Sequence, residues 1–258
     1  LVHIGGNVRD FVFDTGAAQF NFVSERFARE NGIRMIADSI PVAGIGRGWV
    51  GLGVADSLAV GGIVMRNPVF LISPPDQATD TIEVISAVLG NAFMRKAERF
   101  TIDNRTRHIV FPAERTLHAD GTKRMANMML NSFQPYVRIH ADGIPLLFHF
   151  DTGNVATTLY PPYYELFREQ VDSCGVEDTV RIGGFAGVAE NVCYRLPSVE
   201  FTLEGVPFTL RDIDVLPSGS AGATAGSEAG SLGTDFATAF DTLTVDYTSC
   251  TVRGENVP

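Results

Sequence analysis

Two carboxylates stand out by their setting. Asp14 ends the apolar run Phe11-Val12-Phe13 and leads into Thr15-Gly16-Ala17, while Asp151 ends Phe148-His149-Phe150 and leads into Thr152-Gly153-Asn154. A carboxylate at the end of a buried-type strand is costly unless it is hydrogen-bonded or used. One such placement is often only a turn residue, because Asp bonds its own backbone two residues on. Two in matching contexts, 137 residues apart in a chain of 258, point to a pair that meets. Carboxylates about 3 Å apart cannot both ionise cheaply, so they titrate as a unit with one pKa lowered and the other raised. Such a pair can hold a water, deprotonate it with the ionised member and protonate a carbonyl oxygen with the other. That is amide hydrolysis without a covalent intermediate. The hydroxyls of Thr15 and Thr152 can tie the two loops together, and Gly16 and Gly153 permit close backbone approach.

The elements that must position this pair can be followed along the chain. Residues 3–13 alternate as a hairpin turning at Gly5-Gly6-Asn7, and Ser24 caps a short helix over 25–30 stopped by Gly32. A glycine-dense stretch (41–53), strand-like runs (54–60 and 63–72) and a polar connector (74–81) lead to Val88-Leu89-Gly90. A helical piece (91–98) and a closing hairpin (100–111) follow. The second half repeats this order. A hairpin (139–150) turns at Asp142-Gly143, and Pro161-Pro162 open a helix over 163–171 that ends before Gly175. Then come glycine-rich 182–188, strands near 192–203 and 206–216, and a Ser/Gly/Ala-rich loop (217–230). Leu232-Gly233, a helical 234–240 and strands from 243 to 253 complete the chain. Leu89-Gly90 maps to Leu232-Gly233, Phe93 to Phe236, Thr101 to Thr244, Asp103 to Asp246 and Ile109 to Val252, all at an offset of 143. A constant offset over twenty residues marks a tandem duplication. The expected lobes are 1–120 and 125–258.

Composition narrows the function. Hydrophobic residues make up 45% of the chain, enough for an ordinary globular core, and 26 glycines fit many short strands joined by tight turns. A net charge of −10 argues against nucleic acid and anionic membrane surfaces as partners. No apolar run approaches the ~18 residues of a membrane-crossing helix. Cys174, Cys193 and Cys250 form no metal-type spacing; a Cys174–Cys193 bridge and three free thiols are the two readings. The five histidines show no ligand spacing and no Gly-Lys-Ser/Thr fingerprint is present, so no metal and no cofactor is expected. Asp103 and Asp246 precede polar turn residues and read as turn formers; Asn104-Arg105-Thr106 is a formal glycosylation sequon. The chain opens at Leu1. A leader removed before it would go with a periplasmic, secreted or membrane-anchored placement.

Two Asp-Thr-Gly triplets in matching repeats, each with its own Leu-Gly, resemble the aspartic proteases of the pepsin and retropepsin type. The resemblance covers essentially the whole chain, which looks most like a single-chain tandem of two retropepsin-like halves; Ala17 matches the retropepsin form. It implies an all-β, bilobal pepsin-like acid-protease barrel fold with a few short helices and a pseudo-two-fold. In that family an apolar-Gly segment passes beneath each catalytic loop, the place of Val88-Leu89-Gly90 and Leu232-Gly233. It further implies Asp14 and Asp151 as the catalytic pair, with Thr15, Gly16, Thr152 and Gly153 as the supporting loop. A glycine-rich hairpin covers the substrate, so 42–50 and 182–188 are flap candidates, with Ile45, Trp49 and Phe185 facing an extended peptide. Trp49 reads equally well as a packed aromatic. The implied protein is a monomeric endopeptidase acting on peptide or protein; the alternative is a non-catalytic peptide- or protein-binding protein on the same fold. Three residues depart from the family pattern. Asn154 replaces Ala, Ser or Thr, Ser231 replaces an apolar residue, and His149 takes a normally aliphatic position. Asn154 either bonds the outer oxygen of Asp151 or points away. His149 is either a core histidine or a modulator that, protonated near pH 6, would favour ionised Asp151.

Overall fold

The computed structural model describes residues 1–17, 19–44, 46–74, 86–112, 125–184, 187–220 and 226–256. Strands dominate and the helices are short, which is the all-β class expected. Local chemistry sets the turns: Gly5-Gly6, Gly61-Gly62, Asp142-Gly143 and Glu204-Gly205 all have positive φ at both residues. That is the backbone a two-residue hairpin turn requires. Ser24 caps the helix Glu25–Glu30 by accepting from the Phe27 N–H at 3.1 Å.

The same strand order occurs twice. A six-stranded sheet runs Val12–Phe13, Ala87–Leu89, Asn21–Ser24, Val69–Ser73, Gly46–Val54, Arg34–Gly44. Within an eight-stranded sheet the run Ile144–Phe150, Gly230–Leu232, Thr158–Leu159, Val206–Val215, Gly187–Leu203, Val176–Gly184 matches it strand for strand. The halves differ in their opening hairpins. Met128–Asn131 and Gln134–Ala141 extend the eight-stranded sheet, whereas Val2–Ile4 and Asn7–Arg9 pair with Ser57–Val60 and Ile63–Arg66 in a separate sheet. The expected hairpin over 3–13 therefore ends at Arg9. Val12–Phe13 leaves it to run parallel to Val88 and Leu89.

A fourth sheet is built from both halves. Arg99–Asp103 pairs antiparallel with Thr242–Asp246, flanked by His108–Val110 and Thr251–Glu255. Thr101 and Thr244, equivalent by the offset of 143, lie opposite each other and share a hydrogen bond of 2.8 Å. An approximate two-fold passes between them. Each turn aspartate accepts two backbone N–H groups, Asp103 from Arg105 and Thr106, Asp246 from Thr248 and Ser249. The residue after each turn aspartate reaches across. Asn104 donates to the carbonyls of Ala237 and Phe240, and Tyr247 donates to Asn91 Oδ1. The sequon asparagine is thus committed to tertiary structure.

Among the described residues two large hydrophobic cores back the sheets. One gathers Val2, Val23, Phe27, Leu58, Phe70, Leu89 and Phe93; the other gathers Ile139, Phe148, Phe150, Phe201, Leu210, Phe236 and Val245, and draws in Met94 and Phe100 from the first half. Phe148 and Phe150 are fully buried. Each such side chain contributes about 2–3 kcal/mol by leaving water.

Several expectations change in detail. The helix expected over 163–171 is two helices, Pro161–Leu166 and Arg168–Cys174, because Phe167 leaves helical geometry (φ −116°, ψ 26°). Its ring then packs on Tyr163 at 4.6 Å between centroids. The Ser/Gly/Ala-rich segment does not end as a loop: Glu228 and Ala229 are buried and Gly230–Leu232 is a strand. All three cysteines are free thiols, with Cys193 buried and Cys174 exposed. Among the described residues no helix is long and apolar enough to cross a membrane.

Candidate active site

Each candidate loop starts where a short strand ends against a parallel neighbour. Leu89 lies beside Phe13, and Leu232 beside Phe150. The first backbone N–H past each strand is then donated sideways: Asp14 N to Leu89 O at 3.0 Å and Asp151 N to Leu232 O at 2.9 Å. The glycine of each Leu-Gly pair is there for closeness. A Cβ on Gly90 would sit 2.1 Å from the Phe20 carbonyl oxygen, and one on Gly233 would sit 2.7 Å from the Ala156 carbonyl carbon. No other residue fits.

The two loops are cross-linked by their threonines in a reciprocal pattern. Thr15 Oγ1 accepts from Thr152 N at 3.0 Å and donates to Phe150 O at 2.7 Å. Thr152 Oγ1 accepts from Thr15 N at 3.1 Å and donates to Phe13 O at 2.6 Å. Each hydroxyl donates one bond and accepts one across the junction. Thr15 is fully buried. Four hydrogen bonds thus fix the loops at one separation.

That separation brings the carboxylates together. Asp14 and Asp151 are in hydrogen-bonding contact. Each rests on the opposite loop's glycine: a Cβ on Gly16 would lie 2.1 Å from Asp151 Cγ, and one on Gly153 would lie 2.8 Å from Asp14 Cγ. Asp14 Oδ1 accepts from Gly16 N (2.7 Å) and Ala17 N (2.9 Å), and Asp151 Oδ1 accepts from Gly153 N (2.9 Å). Burial first, then the neighbouring Asp151, push the Asp14 carboxyl up to about 7 against the pull of its backbone donors. Burial also raises Asp151, but its bond to Asp14 and its backbone donors oppose that rise. A pair holding one proton is the expected state over a broad pH range.

A second ring of residues escaped the sequence reading. Asn91, fully buried, donates from Nδ2 to both Thr15 O and Ala17 O at 2.7 Å, and Tyr247 braces its Oδ1 at 2.7 Å. Gln134 donates from the second half to Gly16 O. The one available signal was position: Asn91 follows the Leu89-Gly90 pair directly, and Tyr247 stands 143 residues after Asn104.

The remaining candidates divide. Asn154 donates to Asp151 Oδ2 at 3.0 Å, and its Nδ2 also lies 3.3 Å from Ser231 Oγ. His149 sits between the fully buried Phe148 and Phe150, so its side chain faces the same way as Asp151. Its ring packs on Tyr136 at 5.2 Å, and its Nε2 is buried without a hydrogen-bond partner. Burial, the dominant influence, holds it below the usual histidine value despite Asp14 and Glu228. That lowering works against the protonated form on which the modulator reading depends. Trp49 is exposed on the strand Gly46–Val54, opposite Pro41. The segments 42–50 and 182–188 are the tips of two long hairpins, Arg34–Gly44 with Gly46–Val54 and Val176–Gly184 with Gly187–Leu203. Ile45 and Phe185 lie outside the described residues.

A doubled all-β fold thus presents two Asp-Thr-Gly loops to each other. Residues 2–93 match the family model described as aspartyl protease, of the retropepsin type. That span takes in Asp14 and its Leu89-Gly90 pair and supports a protease-type function. No curated protein matches the chain.

Proposed function

We propose that this protein is an aspartic endopeptidase in which Asp14 and Asp151 together activate one water against a peptide bond. The observation that carries the reading is the reciprocal threonine lattice, which holds two desolvated carboxyls in contact with each other. In the singly protonated pair the ionised carboxylate takes a proton as the water oxygen attacks the carbonyl carbon. The protonated carboxyl gives its proton to the carbonyl oxygen. Collapse of the resulting diol breaks the C–N bond as the amine nitrogen is protonated. The chemistry needs only water and two carboxyls, with no cofactor. Because one chain supplies both halves, a monomer of two lobes (1–120 and 125–258) suffices, with an extended peptide between them. The solvent-facing hairpin residue Trp49 is a candidate substrate contact.

Incubation with a mixed peptide library from pH 3 to 7, with products mapped by mass spectrometry, tests this. Internal cleavage that falls at least ~100-fold in Asp14→Asn and in Asp151→Asn is expected for loss of a general acid–base group. No wild-type products anywhere in that range, or products unaffected by either substitution, would overturn it.

A further inference from the structure

The two aspartates are not finished alike. Beyond the backbone donors, Asp151 has a side-chain donor on its outer oxygen: Asn154 Nδ2 at 3.0 Å from Oδ2. Asn154 is itself steadied by Ser231 Oγ at 3.3 Å, and Ser231 is in hydrogen-bonding contact with the buried Tyr160. Among the described residues the first loop has none of this. Ala17 stands in the place of Asn154 and Val88 in that of Ser231, and among the described residues the two backbone donors to Asp14 converge on Oδ1. A donor on a carboxylate oxygen favours the ionised form, whereas an oxygen without one is where a proton costs least.

We propose that Asn154, braced by Ser231 and Tyr160, is a positioning residue that makes Asp151 the carboxylate that ionises first, leaving the shared proton on Asp14 Oδ2. This rests on the endopeptidase reading and assigns its roles: Asp151 takes the proton of the water, and Asp14 protonates the carbonyl oxygen. The titratable groups around the pair are Asp14 on the opposite loop, Tyr160 from the segment after Asp151, His149 on the strand that leads into it, Tyr136 packed on His149, and Glu228 just before the strand Gly230–Leu232. Burial disfavours the charged form of His149, and the others are carboxyls and phenols, which cannot pair with a carboxylate as cations, so hydrogen-bond donors are what favours the charge on Asp151. Burial, chiefly, and the neighbouring carboxylate push Asp14 up, in agreement with this order.

The assignment predicts which ionisation step responds. In the first step Asp151 loses its proton and gains the strength of the Asn154 bond. In the second step Asp14 ionises while that bond is already made. Protein labelled with 13C at the aspartate carboxyl carbons, its two signals assigned with Asp14→Asn and Asp151→Asn, reads both steps without any turnover. In wild type the Asp151 signal should carry the first step. In Asn154→Ala the first step should move up by about 1 pH unit, the bottom of the range for a bond to a charged acceptor because Asn154 is exposed, while the second stays in place. Ser231→Val, which gives the second half the residue found at Val88, should move the first step less and in the same direction. It also serves if Asn154→Ala does not fold. Asp14 ionising first, movement of the second step, or no movement in either variant would overturn the assignment. A protein that cleaves no peptide but titrates in the expected order would instead overturn only the enzyme reading.

Discussion

Around Asp14 the loop is held from outside, by Asn91 clamping the carbonyls of Thr15 and Ala17 with Tyr247 behind it. Around Asp151 that clamp is replaced. Thr234, in the place of Asn91, donates to Val155 O, and Asn154 within the loop bonds the carboxylate itself. The backbone pattern is nevertheless the same on both sides. Asn91 N donates to Ala17 O at 3.2 Å and Thr234 N to Asn154 O at 2.8 Å. Gly90 N donates to Asn21 Oδ1 and Gly233 N to Thr157 Oγ1, both at 3.1 Å. Main-chain geometry brings two equal carboxyls together, and side chains then make them unequal. A duplicated site can keep its architecture in the repeat and its chemistry in the departures from it.

The largest effect that can break this comparison lies at the glycines. A methyl group on Gly16 meets Asp151 Cγ at 2.1 Å, against 2.8 Å for Gly153 and Asp14 Cγ. Gly16→Ala should therefore cost about 3 kcal/mol and Gly153→Ala about 1–2 kcal/mol, within the range for overpacking, read by urea denaturation. Equal costs would mean that the loops yield alike and the asymmetry does not reach the backbone. Next come the threonines, where symmetry should hold. Thr15→Val and Thr152→Val each remove two of the four cross-links and should each cost about 2–3 kcal/mol, with Thr15→Val at the upper end because Thr15 is fully buried. The double variant should cost less than the sum, since the bonds are shared.

A smaller effect has a definite pH signature. Asp14 has its carboxyl raised in the folded protein to about 7, so between the ordinary aspartate value and that point the folded state holds a proton that the unfolded chain has released. Stability attributable to this group is present at low pH and is lost as pH rises towards 7. Asp14→Asn keeps an oxygen for the Gly16 and Ala17 N–H groups but removes the charge. It should raise stability by about 2 kcal/mol at pH 8 and leave it nearly unchanged at pH 3.5, read as the shift in thermal midpoint. A gain of the same size at pH 3.5 would show that burial of charge is not its cause.

Much of the site was legible in the residues, for identifiable reasons. Asp14 and Asp151 announce themselves because an ionisable group at the end of a Phe-rich strand is anomalous wherever the strand goes. The offset of 143 is equally local information, and Thr101 meeting Thr244 is its tertiary consequence. What escaped depends on contacts between distant segments. Nothing in 3–13 says that Val12–Phe13 abandons its hairpin, because the gain lies in pairing with Val88 and Leu89, far along the chain. Asn91 and Tyr247 look like ordinary polar and aromatic residues until the fold sets them 2.7 Å apart. His149 was placed on the correct strand face, but its charge state depends on how thoroughly Tyr136 and its neighbours exclude water.

The central claim is that two halves build one acid–base pair. It is tested most directly by kcat/KM for peptide cleavage in wild type, Asp14→Asn, Asp151→Asn and the double variant. Two groups acting as one unit should give single losses of at least ~100-fold each and a double loss no larger than the worse single. Losses that multiply, or one aspartate whose replacement leaves cleavage intact, would contradict it.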